Sequence, residues 1–314
     1  MTFRFRIGRS IAKEARRVAL AQVDRSIRTL TTGIDVDSGI HECRKSLKRL
    51  RALIRILRPG LEPAWYRETD AGLRNIGRGL SGSRDRFVAA TTLAAIEARA
   101  GHEPGAFASV LPPAARDANG DEARLQDALA ATRHAADALS TLRDEFATLS
   151  RREIGEPDVV GGFRRTYANA RRDMGTAFAA STDEPVHEWR KSVQRHWRHL
   201  QLVERVWPDE LAARINEARR ISELIGEHQD LTVLKSLVRA AASRHRGRHL
   251  ARKVIGLAQQ RQADILALVR PHGERLFADK PGDLARRVAL YWQATTVERS
   301  LGRPEPDPPR SLKR

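Results

Sequence analysis

Apolar residues recur at helical spacing along most of the chain, and one stretch organises the rest. Between Ile40 and Pro59, Cys43, Leu47, Leu50, Ile54 and Leu57 step by 4, 3, 4 and 3, which is one face of a helix. Beside it runs a face of His41, Arg44, Lys48, Arg51 and Arg55. Ser38 is the expected N-cap, and Pro59-Gly60 stops the helix. The same periodicity predicts helices over 10–30, 64–80, 86–99 and 121–152. Beyond them it predicts helices over 163–180, 186–207, 209–225, 230–246, 248–277 and 281–300. Asp85 and Asp230 are the expected caps of the helices they precede. Residues 101–120 hold three prolines and three glycines and read as loop, and the glycine-rich 155–162 reads as the break between halves. Alternating five-residue runs and Asn-Gly hairpin signals are not found, so the expected fold is all-α.

The organising stretch recurs. Placing His187 on His41 aligns Glu188 with Glu42, Arg190 with Arg44, Lys191 with Lys45, Ser192 with Ser46 and Arg195 with Arg49. Each copy is followed by a proline and then by a helix leading to an Asp-containing turn, Ser83 to Asp85 in one half and His228 to Asp230 in the other. A common order of parts at a common spacing predicts an internal duplication. The expected architecture is two pseudo-symmetric bundles of four to five helices each, over 1–155 and 156–301, followed by a disordered Pro-rich tail over 302–314.

Charge changes the picture. Lys+Arg 57 against Asp+Glu 39 gives a formal net charge of +18 over 314 residues. Such an excess predicts a polyanionic partner: nucleic acid, an anionic membrane or a phosphate polymer. Within the first basic helix nothing acidic lies between Glu42 and Glu62. Like charges at i,i+3 and i,i+4 cost a few tenths of a kcal/mol each, so the stripe opposes its own helix by roughly 1–2 kcal/mol. An anionic ligand would offset that repulsion. Residues at this pitch line up over about 20 Å of helix, which suits an extended polyanion better than a single small phosphate. The two basic helices are expected to face each other and form a groove.

Other chemistries find less support. The lone Cys43 excludes an internal disulfide and reads as a small core residue. The pairs His196/His199 and His245/His249 have the spacing of helical metal ligands, but neighbouring arginines would repel a divalent cation, so no metal and no cofactor are expected. No Walker A loop, Gly-x-Ser-x-Gly or Cys-centred nucleophile site is present, so the chain is not expected to be an enzyme. Trp65, Trp189, Trp197, Trp207 and Trp292 fall near apolar spacings and read as packing residues. Arg58 and Arg205 read as cations near helix C-termini. No signal-peptide core and no membrane-length apolar run occurs, which predicts a cytoplasmic protein without membrane association.

With its motifs His41-x-x-Arg44-x-x-x-Lys48-Arg49-x-Arg51 and His187-x-x-Arg190-Lys191-x-x-x-Arg195-x-x-Arg198, and with Arg84-Asp85 and Gln229-Asp230, the chain resembles the CHAD family, the conserved-histidine α-helical domain. The resemblance covers about residues 5 to 300. It implies two helical bundles around a central basic cavity that binds inorganic polyphosphate, and an association with polyphosphate granules. Carried over by position, the ligand residues are His41, Arg44, Lys45, Lys48, Arg49, Arg51, Arg55, His187, Arg190, Lys191, Arg195 and Arg198. Sulfate or phosphate ions are expected to occupy the same site. The sequence departs from the family pattern at Gln194, which stands where the first copy has Lys48, and at His196-Trp197. The rival readings are a nucleic-acid or nucleoid-associated protein and a regulatory subunit of a polyphosphate-metabolising enzyme.

Overall fold

Among the described residues of the computed structural model (3–32, 35–80, 84–112, 122–179, 182–242 and 248–302) there are ten α-helices and no strand. They are α1 (Ile11–Thr31), α2 (Val36–Ile56), α3 (Pro63–Gly79), α4 (Arg84–Arg99) and α5 (Glu122–Ala147). The series continues with α6 (Glu156–Ala179), α7 (Asp183–Val203), α8 (Pro208–Ala242), α9 (Arg248–Leu276) and α10 (Pro281–Ser300). None is long and apolar enough to cross a membrane.

The ends of these helices follow from local chemistry. The Ser10 side chain accepts from the Lys13 amide to cap α1. The α2 cap is Asp35 rather than Ser38: its carboxylate accepts from the Asp37 and Ser38 amides, and the helix starts two residues before the expected cap. Pro63 opens α3 at a position where its missing N–H costs nothing. The predicted apolar face of α2 is inside, with Cys43, Leu47, Leu50, Ile54 and Leu57 all buried.

Three glycine- or turn-based expectations give way. The break at 155–162 is helix from Glu156 onward. Gly162 lies inside α6 where a Cβ would stand 1.9 Å from the Ile56 carbonyl oxygen, so its glycine permits close helix contact instead of a turn. The segment His228 to Asp230 is likewise uninterrupted helix within α8, so Asp230 lies inside a helix rather than at its start. Gly226, just before it, leaves room for the Arg190 guanidinium, 3.3 Å from where a Cβ would be. The helix expected to run to residue 152 ends at Ala147 and tightens into a 3₁₀ turn over Thr148–Arg151. The first half's Ser83, the 245/249 histidine pair's His245 and the tail from 303 lie outside the described residues.

The main core runs through residue 155 without a break. Leu50, Leu53 and Ile56 of α2 share it with Phe163 and Tyr167 of α6, Leu200 and Val203 of α7, and Val288 and Trp292 of α10. A smaller core joins Leu93 and Ile96 of α4 to Leu231, Leu234 and Val238 of α8 and to Val254 and Ala258 of α9. A helix of the first half thus completes a core of the second. Trp65, Trp189 and Trp292 are buried as expected, but Trp207 is 48% exposed, its ring edge-on to Tyr291. Ahead of α1 an extended segment places Phe3, Phe5 and Ile7 inside and leaves Arg4 and Arg6 toward the surface. It is held by the Phe5 amide donating to the Leu202 carbonyl.

Candidate functional site

α2 and α7 pack against each other in the main core. The two helices repeat their opening turns in detail. Lys45 Nζ lies 2.6 Å from Glu42 Oε1, and Lys191 Nζ lies 2.6 Å from Glu188 Oε1, both as exposed i,i+3 pairs. Ser46 and Ser192, one residue further on, are both buried. Lys48 is exposed, His41 is half-buried, and Arg44 donates to the Leu80 carbonyl at the end of α3.

Further along, the side chains of the two helices converge. Arg51 makes a fork to Asp70 of α3, with Nε 2.8 Å from Oδ1 and Nη2 3.3 Å from Oδ2. Arg55 and Arg74 share the same carboxylate at 3.4 Å each. Burial alone would raise the Asp70 pKa, but the Arg51 hydrogen bond and the charges of Arg55, Arg51 and Arg74 outweigh it and hold the carboxyl below its ordinary value. One carboxylate therefore serves three guanidiniums.

From α7, Arg195 enters the same region. Burial lowers its pKa, and the positive charges of Arg55 and Arg51 lower it further, against the opposing charges of Asp173 and Glu188. Arg198 is pushed down to about 10, first by burial and then by the charges of Arg49 and Arg190. Its Nη1 donates to the Gln194 carbonyl at 2.7 Å and its guanidinium lies over Trp197. Arg49 is half-buried, with its guanidinium toward the Phe3 ring and its Nη1 3.4 Å from Gln22 Oε1. Among the described residues, Arg49, Arg195 and Arg198 have no carboxylate within 4.0 Å. Arg49 and Arg195 are both half-buried.

The expected ligand set is thus brought together in part. Arg195 of α7 lies close enough to Arg51 and Arg55 of α2, and Arg198 to Arg49, for their charges to act on one another, while Arg190 lies against Gly226 of α8. His187 is half-buried beside Lys191, and its Nδ1 is buried without a hydrogen-bond partner. Burial, then Lys191, lower its pKa, which favours the neutral imidazole. Arg58 and Arg205 fall in the 3₁₀ turns just past α2 and α7, as read.

Three residues essential to this arrangement were not singled out as site residues. Asp70 gives no signal, because an isolated Asp on an amphipathic helix has no distinguishing spacing. His199 is fully buried under the cluster, with Nε2 2.9 Å from the Ala52 carbonyl and Nδ1 2.7 Å from Thr166 Oγ1. Its pKa falls to about 3, chiefly by burial and then by the charges of Arg55, Arg195 and Arg198 against the pull of the Ala52 carbonyl. His196, the other half of the supposed metal pair, is packed among the Phe163, Tyr167 and Phe277 rings. Among the described residues no group of three or more His, Cys, Asp or Glu is placed to hold a metal ion.

The CHAD domain family profile matches residues 11–239. Two solved structures share the fold. The crystal structure of the CHAD domain from the plant Ricinus communis superposes with a TM-score of 0.59 at 15% identity, covering 87% of this chain and 93% of that one. PptA from Streptomyces chartreusis superposes with a TM-score of 0.54 at 14% identity, covering 85% of this chain and 99% of that one. No curated protein matches the sequence.

Proposed function

The chain belongs to the CHAD domain family, and from that premise we propose that it binds inorganic polyphosphate along the cationic faces of α2 and α7. The observation that carries this reading is the approach of Arg195 to Arg51 and Arg55 across two helices, with Asp70 as the carboxylate that the α2 arginines share. Guanidiniums stay charged near neutral pH and grip anionic oxygens with planar forks, so the role is binding rather than turnover. A charge row fed from two elements favours a ligand with one charge per unit and many acceptor oxygens, which describes a phosphate chain. Each charge-assisted contact is worth about 1.5–3 kcal/mol, several times the repulsion it relieves. The binding is multidentate and weakens with salt, and it directs the protein to polyphosphate granules where these form.

Titration of the protein with long-chain polyphosphate and with duplex DNA at matched salt tests the proposal. Polyphosphate is expected to bind more tightly per phosphate. Arg55→Gln with Arg195→Gln is expected to weaken it by about 100-fold or more, from the loss of two such contacts. Equal affinity per phosphate for DNA would move the function to nucleic acid. Shortening of the polymer on incubation with the protein and a divalent metal would make it an enzyme.

A further inference from the structure

α10 carries apolar residues on two faces. One is the core face, where Leu284, Ala285, Val288, Trp292 and Thr295 are buried. It is anchored by the Thr295 hydroxyl donating to the Val206 carbonyl at 2.6 Å and by the Trp292 ring, 6.4 Å from that of Phe5. The other face points outward. Leu290, Ala294, Val297 and Leu301 step by 4, 3 and 4, a single stripe about 16 Å long at 1.5 Å per residue. Leu290 is 56% exposed, Val297 57% and Leu301 76%, and Ala294 is exposed as well. Beside the stripe, Tyr291 meets the exposed Trp207 edge-on. Apolar residues at heptad spacing, on a helix already packed along its opposite side, form a seam for a further helix.

Charge and shape say what the seam fits. The ten residues from Val288 to Val297 include no charged side chain, in a chain that is 31% charged. The stripe thus offers nothing to an anion, and two copies of a chain carrying +18 can approach along it without like charges meeting. It is also complementary to itself. Laid antiparallel on a second copy, about a twofold axis between Thr295 and Thr296, Leu290 faces Leu301 and Ala294 faces Val297, and the axis repeats both contacts. Tyr291 then comes beside the exposed Glu298 of the second copy, where a phenol donates to a carboxylate. A parallel pairing would set the small Ala294 against itself and leave that layer underfilled.

We propose that the outer face of α10 is a homodimerisation surface, on which two copies of this chain pair antiparallel through Leu290, Ala294, Val297 and Leu301. Trp207 and Tyr291 form one rim of it, as aromatic side chains do at protein interfaces. The seam spans about three helical turns. That is short beside the roughly 1,200–2,000 Å² of stable interfaces, so the dimer comes apart on dilution. No residue of the α2/α7 groove takes part, and the pairing is independent of what that groove binds.

Sedimentation velocity of the full chain over a dilution series tests it. A dimer at high concentration that gives way to monomer on dilution is expected. Val297→Glu with Leu301→Glu puts four carboxylates into the seam and is expected to raise the dissociation constant about tenfold or more, with unchanged helicity because both side chains are exposed. Leu290→Ser serves as the milder variant should the double change reduce helicity. The register is read by oxidising Leu290→Cys mixed with Leu301→Cys, with which the buried Cys43 does not compete. The mixture is expected to form a disulfide-linked dimer and neither variant alone to do so, because like positions lie about 16 Å apart along an antiparallel seam. A monomer at every concentration, or a dimer that both seam variants leave intact, overturns the proposal. Cross-linking of each cysteine variant by itself overturns the antiparallel pairing.

Discussion

His199 of α7 donates through Nε2 to the Ala52 carbonyl of α2 across 2.9 Å, within the turn that carries Arg51 and Arg55. With Nε2 as the donor, Nδ1 is left to accept from the Thr166 hydroxyl at 2.7 Å, so one neutral ring ties α2, α6 and α7 together. The two cationic helices are therefore fixed by an uncharged group directly beneath their charges. His199→Ala removes both hydrogen bonds and opens a cavity in the core, and is expected to cost about 2–4 kcal/mol. Urea unfolding measures this. An unchanged midpoint would mean that the helices are held by apolar contact alone.

Acid should weaken the fold in two stages. His199 and His196 have pKa values depressed below the ordinary 6.5, to about 3 for His199. The unfolded chain thus binds protons that the folded chain refuses. Stability from these groups is fully present above pH 6.5 and falls as pH drops from there toward 3. Asp70, Glu14 and Asp183 are carboxylates held below their ordinary values, and their contribution is lost only below about pH 4.5. Urea midpoints between pH 7 and pH 5 should fall in the unaltered protein, and should fall less steeply in His196→Phe. Parallel slopes in the two proteins would assign the loss to other groups.

Much of this was legible in the sequence, and the failures have physical causes. The period of Cys43, Leu47, Leu50, Ile54 and Leu57 gave the buried face of α2 because burial depends on which face a residue occupies. The cationic stripe was legible for the same reason. Its neutralising partner was not: Asp70 reaches Arg51 from another helix, and such contacts leave no local pattern. Arg198 stands where the first copy has Ala52, so the repeat alone would not have found it. Gly162 misled, since a glycine that admits a neighbouring backbone looks in sequence like one that ends a helix. The expectation that no alternating five-residue run occurs overlooked Phe-Arg-Phe-Arg-Ile at 3–7, which is held by the Phe5 amide donating to the Leu202 carbonyl.

Replacing the Asp70 carboxylate should trade stability for affinity. Asp70→Asn keeps the shape but takes away the charge that Arg51, Arg55 and Arg74 share. The fold is expected to lose about 1–2 kcal/mol, because charge-assisted hydrogen bonds become weaker neutral ones. Polyphosphate affinity at low salt is expected to rise several-fold, since an internal anion no longer competes for the forks. The logarithmic salt dependence should steepen with it, as more charge is open to counterion release. A drop in affinity would show that Asp70 acts mainly by aiming the guanidiniums.

Two glycines of one helix should respond in opposite directions to the same change. At Gly162 a Cβ would meet the backbone of Ile56, with the carbonyl oxygen at 1.9 Å and the carbonyl carbon at 2.6 Å. Backbone cannot rotate away as a side chain can, so α6 would have to lift off the end of α2. Gly162→Ala is therefore expected to cost several kcal/mol or prevent folding, as overpacking against fixed structure does. At Gly175, thirteen residues along α6, a Cβ would meet nothing within 4 Å. Gly175→Ala should stabilise the protein by about 0.5–1 kcal/mol through helix propensity alone. Thermal unfolding of the two variants side by side checks both signs. A mild effect at Gly162 would mean that α2 and α6 approach less closely there, and with it the joint between the halves would be looser than described.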